Sequence, residues 1–274
     1  MSQLYSRIND EIIKADTASV LLSDMALQRG YGIFDFFKII DNQPVFLEEH
    51  LGRFYQSAQA MQLAVNKSAE ELAAIIHELI QLNQLPQSGM RITLTGGYAA
   101  DGYSTQQPNL LLVQQPLTLA TSLQPGIRLM TYTHQRQLPQ VKTIDYLMAV
   151  WLQPHIRRQG AADVLYHQQG IITECPRANF FIVNKNNELA TPAANILEGI
   201  TRKKVLQLAK KHIAVKEGTV TLADIYEAKE AFITSTTKHL LPVVQIDDNI
   251  IGDGKPGVVT RSLFEELAAI VFNS

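Results

Sequence analysis

Apolar and polar positions along the chain repeat in two rhythms, one of strands and one of helices. Residues Ile33 to Ile40 form an apolar, aromatic-rich run of strand length, and Gln43 to Phe46 reads as its continuation after a turn at Asp41-Asn42, which predicts a hairpin. Leu51, Phe54, Tyr55, Ala58 and Met61 then recur at helical spacing, as do Leu72, Ile75, Ile76, Leu79 and Ile80, so two amphipathic helices follow. Strands are expected at Met90 to Thr95 and Leu110 to Val113, separated by the turn-rich Gly96-Gly97-Tyr98-Ala99-Ala100-Asp101-Gly102. Periodicity lapses from Gln114 to Pro125, where Pro116 and Pro125 interrupt it, and the reading places an N-terminal α/β domain at 1–116, a linker at 117–125 and a second α/β domain at 126–274.

The second half repeats the mixture. A strand is expected at Ile127 to Tyr132, a helix from about Asp145 kinked by Pro154, and strands near Asp163 to Tyr166 and Phe180 to Val183. A helix from Thr201 to Lys211, with Thr201 as its N-terminal residue, precedes a strand at Ala231 to Ser235 that runs into Ser235-Thr236-Thr237. A last helix is expected from about Val259 to Val271, and no internal repeat appears.

Bulk properties narrow the possibilities. A length of 274 residues favours two domains, and 46% hydrophobic content with a net charge of −2 describes an ordinary globular protein. Charged residues make up 18%, somewhat few, which suits surface buried in an oligomer. The chain has no Lys/Arg cluster to attract nucleic acid and no apolar run of about 18 residues to span a membrane. The single cysteine, Cys175, excludes an internal disulfide and fits a reducing compartment, so a cytoplasmic location is expected. Seven histidines without ligand spacing and acidic residues without a calcium loop predict no metal.

Three scattered features carry chemistry together. Lys142 lies in Leu138-Pro139-Gln140-Val141-Lys142-Thr143-Ile144-Asp145-Tyr146, just ahead of a helix, and Glu174 lies in Ile171-Ile172-Thr173-Glu174-Cys175-Pro176-Arg177-Ala178-Asn179-Phe180-Phe181. Anion contacts are offered by Arg53 in Glu49-His50-Leu51-Gly52-Arg53-Phe54, by the helix start Gly199-Ile200-Thr201-Arg202 and by Ser235-Thr236-Thr237. A glycine at a helix start allows close approach, the free N–H groups of Ile200 and Thr201 favour a dianion, and Arg53 can add a bidentate contact.

In content and order these motifs resemble the class IV aminotransferase family, which includes branched-chain and D-amino acid aminotransferases and aminodeoxychorismate lyase, over about residues 20 to 262. The resemblance implies the two-domain fold type IV, a pyridoxal 5′-phosphate cofactor between the domains with 126–274 as the cofactor-binding domain, and a homodimer. It makes Lys142 the lysine that holds the cofactor in a Schiff base and moves the proton. Glu174 becomes the partner of the pyridine nitrogen, and Arg53, Gly199, Ile200, Thr201, Ser235 and Thr236 hold the phosphate. Phe34 and Thr237 fall on the substrate side, and Arg29 and Arg177 become candidates to grip the substrate α-carboxylate.

The chain departs from the family in several places. The Arg-x-His pair of well-known D-amino acid aminotransferases is missing, since no arginine or histidine occurs from Gly96 to Gln114. Arg177 stands where small residues are usual, resembling an atypical D-amino acid branch that shares Arg29-Gly30-Tyr31-Gly32-Ile33-Phe34-Asp35. Asp145 replaces a common asparagine and Asp35 a common glutamate or threonine, while Thr173-Glu174-Cys175 and Gly102-Tyr103-Ser104-Thr105 look lyase-like. The expected activity is transamination between an amino acid, in the D series, and a 2-oxo acid. The alternatives are 4-amino-4-deoxychorismate lyase, which releases pyruvate and p-aminobenzoate, branched-chain amino acid transamination, and a non-catalytic binding protein. Cys175 has no histidine placed to form a dyad and is read as packing.

Overall fold

The computed structural model describes residues 3–272. The chain forms two compact units: one runs up to Thr118 and includes Val141–Asp145, and the other comprises Leu119–Gln140 and the chain from Tyr146 onward.

The first unit is an antiparallel sheet with two helices on one face. Its strands lie in the order Glu11–Lys14, Tyr5–Ile8, Leu110–Pro116, Ser88–Thr95, Gly32–Ile40, Gln43–Pro44. Successive side chains on a strand alternate faces, so Ile33, Asp35, Phe37 and Ile39 share one face and Phe34, Phe36 and Lys38 the other. The apolar members of the first set pack in a core with Phe54, Leu72, Ile76 and Ile80 from the helices Leu47–Ala60 and Ala69–Asn83. Ser68 caps the second helix, exchanging bonds with Glu71 as a capping box. Asp41 and Asn42 both take left-handed backbone, the geometry of a two-residue hairpin turn. The returning strand is shorter than its apolar run suggests, because Phe46 also turns left-handed (φ 57) and the chain enters the helix at Leu47. The strands Tyr5–Ile8 and Glu11–Lys14 carry no sequence signal, being only four residues each; the second forms the sheet edge and is largely exposed.

Val141–Asp145 leaves the second half of the chain to pack in the first unit. Phe34 N–H donates to the Lys142 carbonyl at 2.9 Å and Ile144 N–H to the Gly32 carbonyl at 3.1 Å, which makes a short bridge beside the Gly32–Ile40 strand. Gly32 permits it: a Cβ there would meet the Leu94 carbonyl at 2.8 Å and the Ile144 side chain at 3.1 Å.

The second unit is a mixed sheet whose main path is Val215–Gly218, Leu189–Pro192, Ala178–Val183, Glu230–Ser235, His239–Ile246, Ile127–Thr133, Asp163–Gln168, Ile171–Ile172. Glu174–Cys175 pairs with Ala178–Val183 as a tight hairpin. The helix expected from Asp145 is two short helices, Leu147–Trp151 and Gln153–Arg158, broken at Leu152. Pro154 sits in the first turn of the second, where its missing N–H is harmless. The helix expected from Thr201 spans Ile200–Ala209 and its N-cap is Gly199, so Thr201 lies inside the first turn. The closing helix Val258–Phe272 starts on Glu230, whose carboxylate accepts from the N–H groups of Val259 and Thr260.

Candidate active site

In the first unit the helix Leu47–Ala60 carries His50, Arg53 and Ser57 one turn apart, the spacing that puts them on one face. Asp35, fully buried on the adjoining strand, accepts from Arg53 Nε at 2.8 Å and Nη2 at 2.9 Å and meets His50 Nδ1 at 2.7 Å. Burial alone would raise the Asp35 carboxyl, but the Arg53 guanidinium and then His50 outweigh it and hold it below the usual carboxylate range. Burial pushes His50 the other way, lowering it despite the opposing pull of Asp35. His50 is therefore a neutral imidazole near pH 7, with Nδ1 carrying the proton it donates to Asp35. The pair fixes the Arg53 fork from behind.

Ser57 Oγ accepts the Lys142 N–H at 3.3 Å, so both the amide and the carbonyl of Lys142 are tied to this unit. The Lys142 Nζ stands 4.6 Å from the centroid of the Phe34 ring, and the Arg91 guanidinium carbon 4.3 Å from the same centroid. Both lie within cation–π range of the ring. The two cations are thus within about 9 Å of each other, the sum of those distances.

In the second unit Glu174, Asn179 and Thr234 are register partners across three strands, so their side chains share a face. Glu174 is buried, accepting from Arg136 Nε at 2.8 Å and from the Leu197 N–H at 2.9 Å, while the Arg136 Nη2 donates to the Pro139 carbonyl. Asn179 donates to the Leu197 carbonyl at 2.7 Å, and its amide oxygen lies 2.1 Å from where a Cβ on Gly199 would be. Two side chains of the row therefore hang the loop Leu197–Gly199 that starts the helix Ile200–Ala209, and only glycine fits at its N-cap. Next along the row, the Thr234 hydroxyl is buried with no hydrogen-bond partner among the described residues, immediately before Ser235-Thr236-Thr237. A fixed carboxylate, a helix start with free N–H groups and a hydroxyl-rich turn are the donor set that pyridoxal 5′-phosphate requires, and these residues fit it.

The structure thus brings together Phe34, Arg53 and Lys142 in one unit and Glu174, Gly199, Ile200 and Thr201 in the other. Arg29 and Arg177 are both exposed, the first at the end of the helix Met25–Arg29 and the second in the turn of the Glu174 hairpin. Cys175 is buried with its thiol pushed up by burial, which suits packing and not nucleophilic attack. Sequence reasoning missed His50, Arg91 and Arg136. The i, i+3 spacing of His50 and Arg53 was a usable signal, whereas Arg136 sits in an irregular loop and Arg91 is legible only once Phe36 is known to pair with it.

The sequence pattern of the family described as amino-transferase class IV matches residues 32–246. A protein of Methanocaldococcus jannaschii provisionally named branched-chain-amino-acid aminotransferase is 30% identical over 96% of this chain and 95% of its own. The D-alanine aminotransferase of Staphylococcus haemolyticus is 30% identical over 94% of each chain. Among solved structures, the branched-chain amino acid aminotransferase of Escherichia coli superposes with a TM-score of 0.88 at 24% identity, covering 99% of this chain and 95% of that one. A second branched-chain amino acid aminotransferase, solved with pyridoxamine 5′-phosphate, superposes with a TM-score of 0.91 at 22% identity over 100% of this chain and 96% of its own. The two structural likenesses speak for the fold, which is that of the fold type IV enzymes.

Proposed function

The chain belongs to the class IV aminotransferases, which are pyridoxal 5′-phosphate enzymes, and on that premise we propose that it transfers an amino group between a D-amino acid and a 2-oxo acid. When bound, the cofactor supplies an electron sink for the pair left on the substrate Cα. Lys142 would hold it covalently, and its Nζ would carry the proton taken from the substrate Cα. Glu174, fixed by Arg136 and the Leu197 N–H, keeps the proton on the pyridine nitrogen. The N–H groups of Ile200 and Thr201, the hydroxyls of Ser235 and Thr236 and the Asp35-backed Arg53 bind the phosphate. Phe34 and Thr237 flank the substrate. The enzyme works as a homodimer in the cytoplasm.

One observation carries the substrate class: Arg29 and Arg177 are exposed cations in motifs otherwise given to the site, in a chain that lacks the Arg-x-His trap. A planar guanidinium matches a carboxylate and can replace that trap. Branched-chain L-amino acid transamination is the second reading, favoured by the relative from Methanocaldococcus jannaschii. Half-reaction spectra of the yellow holoenzyme with a panel of L- and D-amino acids decide between them. D-amino acids should convert the visible absorbance about a hundredfold faster than their mirror images, and a 2-oxo acid should restore it. Faster conversion by L-branched-chain substrates would establish the second reading. Release of pyruvate and an aromatic amine from aminodeoxychorismate, without amino exchange, would make it a lyase, and a colourless protein would make it a binding protein.

A further inference from the structure

Arg29 ends a helix of only five residues, Met25–Arg29, too short to hold itself in place. Its fixture is Asp24, the N-cap, which is fully buried. One Asp24 oxygen accepts the Ala26 N–H at 2.8 Å, and the other accepts Thr95 Oγ1 at 2.9 Å and Asn109 Nδ2 at 2.8 Å. Thr95 and Asn109 are the two ends of the long loop between the strands Ser88–Thr95 and Leu110–Pro116. One carboxylate therefore joins the helix to both feet of that loop.

The loop's neck is closed as well. Gln106 N–H donates to the Gly96 carbonyl at 3.1 Å and Met25 N–H to the Gly97 carbonyl at 3.0 Å. A Cβ at Gly97 would stand 2.1 Å from the Gln107 carbonyl, and one at Gly96 2.9 Å from the Met25 side chain. Above the neck, the Gly102 position where a Cβ would fall lies 3.4 Å from Arg29 Nη2, so the guanidinium rests against the loop. Asp101 orders the turn beside it, accepting from the Tyr103 and Ser104 N–H groups.

We infer that Asp24 is a positioning residue for Arg29: its buried carboxylate locks the helix and the loop 96–109 into one rigid piece that presents the guanidinium to the substrate carboxylate. The inference rests on Arg29 being a carboxylate ligand. Asp24→Asn keeps the shape but turns one acceptor into a donor facing Asn109 and Thr95, which loosens the knot. In the holoenzyme, KM for the amino acid should rise about tenfold with kcat within about twofold, and a primary amine lacking a carboxylate should react unchanged. Amide exchange should quicken together in residues 25–30 and 97–106. In an Arg29→Ala background the Asp24→Asn effect on KM should vanish, because the two act through one contact. Thr95→Val, which removes one donor to Asp24, should show the same pattern more weakly and serves if Asp24→Asn does not fold. Effects of Arg29 and Asp24 that add in full, or an equal loss for the carboxylate-free amine, overturn the positioning role. An unchanged KM in Arg29→Ala itself overturns the carboxylate reading beneath it, whether or not exchange in the two segments stays coupled.

Discussion

The two units hold their proposed phosphate-binding groups by different physics. In the first, side chains hold one another: the buried Asp35 carboxylate sits between the Arg53 guanidinium and the neutral His50 ring, and its ionisation depends on both. In the second, the proposed groups are largely backbone, a helix start hung by Glu174 and Asn179 and opened by the absence of a side chain at Gly199. Groups of the first kind respond to pH and to the loss of a partner. Groups of the second kind respond to shape. The enzyme should therefore fail differently according to which unit is disturbed.

The largest effect is expected at Lys142, the proposed anchor of the cofactor. Lys142→Ala should lower turnover by at least about a thousandfold and remove the visible absorbance of the bound cofactor, while the first unit stays folded, since Lys142 is tied there through its backbone. A variant that still binds cofactor in borohydride-reducible form would assign the anchor elsewhere. Glu174→Gln comes next, with single-turnover Cα deprotonation slowed about a hundredfold to a thousandfold and cofactor retained. Part of that loss reflects Arg136, whose carboxylate contact becomes a neutral amide. Unchanged single-turnover rates would remove Glu174 from the mechanism.

Both residues could be nominated from sequence because each sits in a contiguous motif, and a motif survives being read in one dimension. The same holds for the amphipathic helices and the apolar strand Gly32–Ile40, whose periodicity is written in the side chains themselves. What escaped was set by partners far along the chain. Arg136 is 38 residues from Glu174, Asp24 is 71 from Thr95, and the strand Tyr5–Ile8 takes its place from pairing with Leu110–Pro116. The helix start was legible in Gly199-Ile200-Thr201-Arg202, but that Gly199, and not a residue with a capping side chain, takes the N-cap is set by the tight fit against Asn179. Propensity was overruled by packing.

Acid should expose the first unit's dependence on charge. His50 is held neutral in the folded state, so as pH falls through about 6.5 the unfolded chain takes up a proton that the folded one refuses, and stability drops. Asp35 is depressed, so its contribution is present above the unfolded value near about 3.9 and is lost as pH falls further toward the folded value. Urea denaturation from mildly alkaline to acid conditions should therefore show stability falling in two stages. Asp35→Asn should cost about 3 to 5 kcal/mol near neutral pH, since it removes the buried negative charge that Arg53 faces, and should flatten the lower stage. A variant as stable as the parent, with the same acid profile, would mean the triad is screened by water and contributes little.

The smallest effect tests the shape-based half. Gly199 has an ordinary backbone conformation, φ −70 and ψ 137, so alanine there brings no conformational strain, and everything it does must come from the Cβ meeting the Asn179 amide. That amide is buried and tied to the Leu197 carbonyl, so it gives way only by breaking its bond or by moving the loop that presents the Ile200 and Thr201 N–H groups. Either way the phosphate loses alignment with some of its donors while every charged group stays in place. Gly199→Ala should therefore weaken cofactor binding about tenfold, read by titrating the apoprotein with pyridoxal phosphate, and leave turnover of the loaded enzyme nearly unchanged. The loss should be the same in mildly acid and mildly alkaline buffer, because no titrating side chain is involved. A loss that grows at the lower pH would show that charge governs this unit too, and the contrast between the two halves would fall.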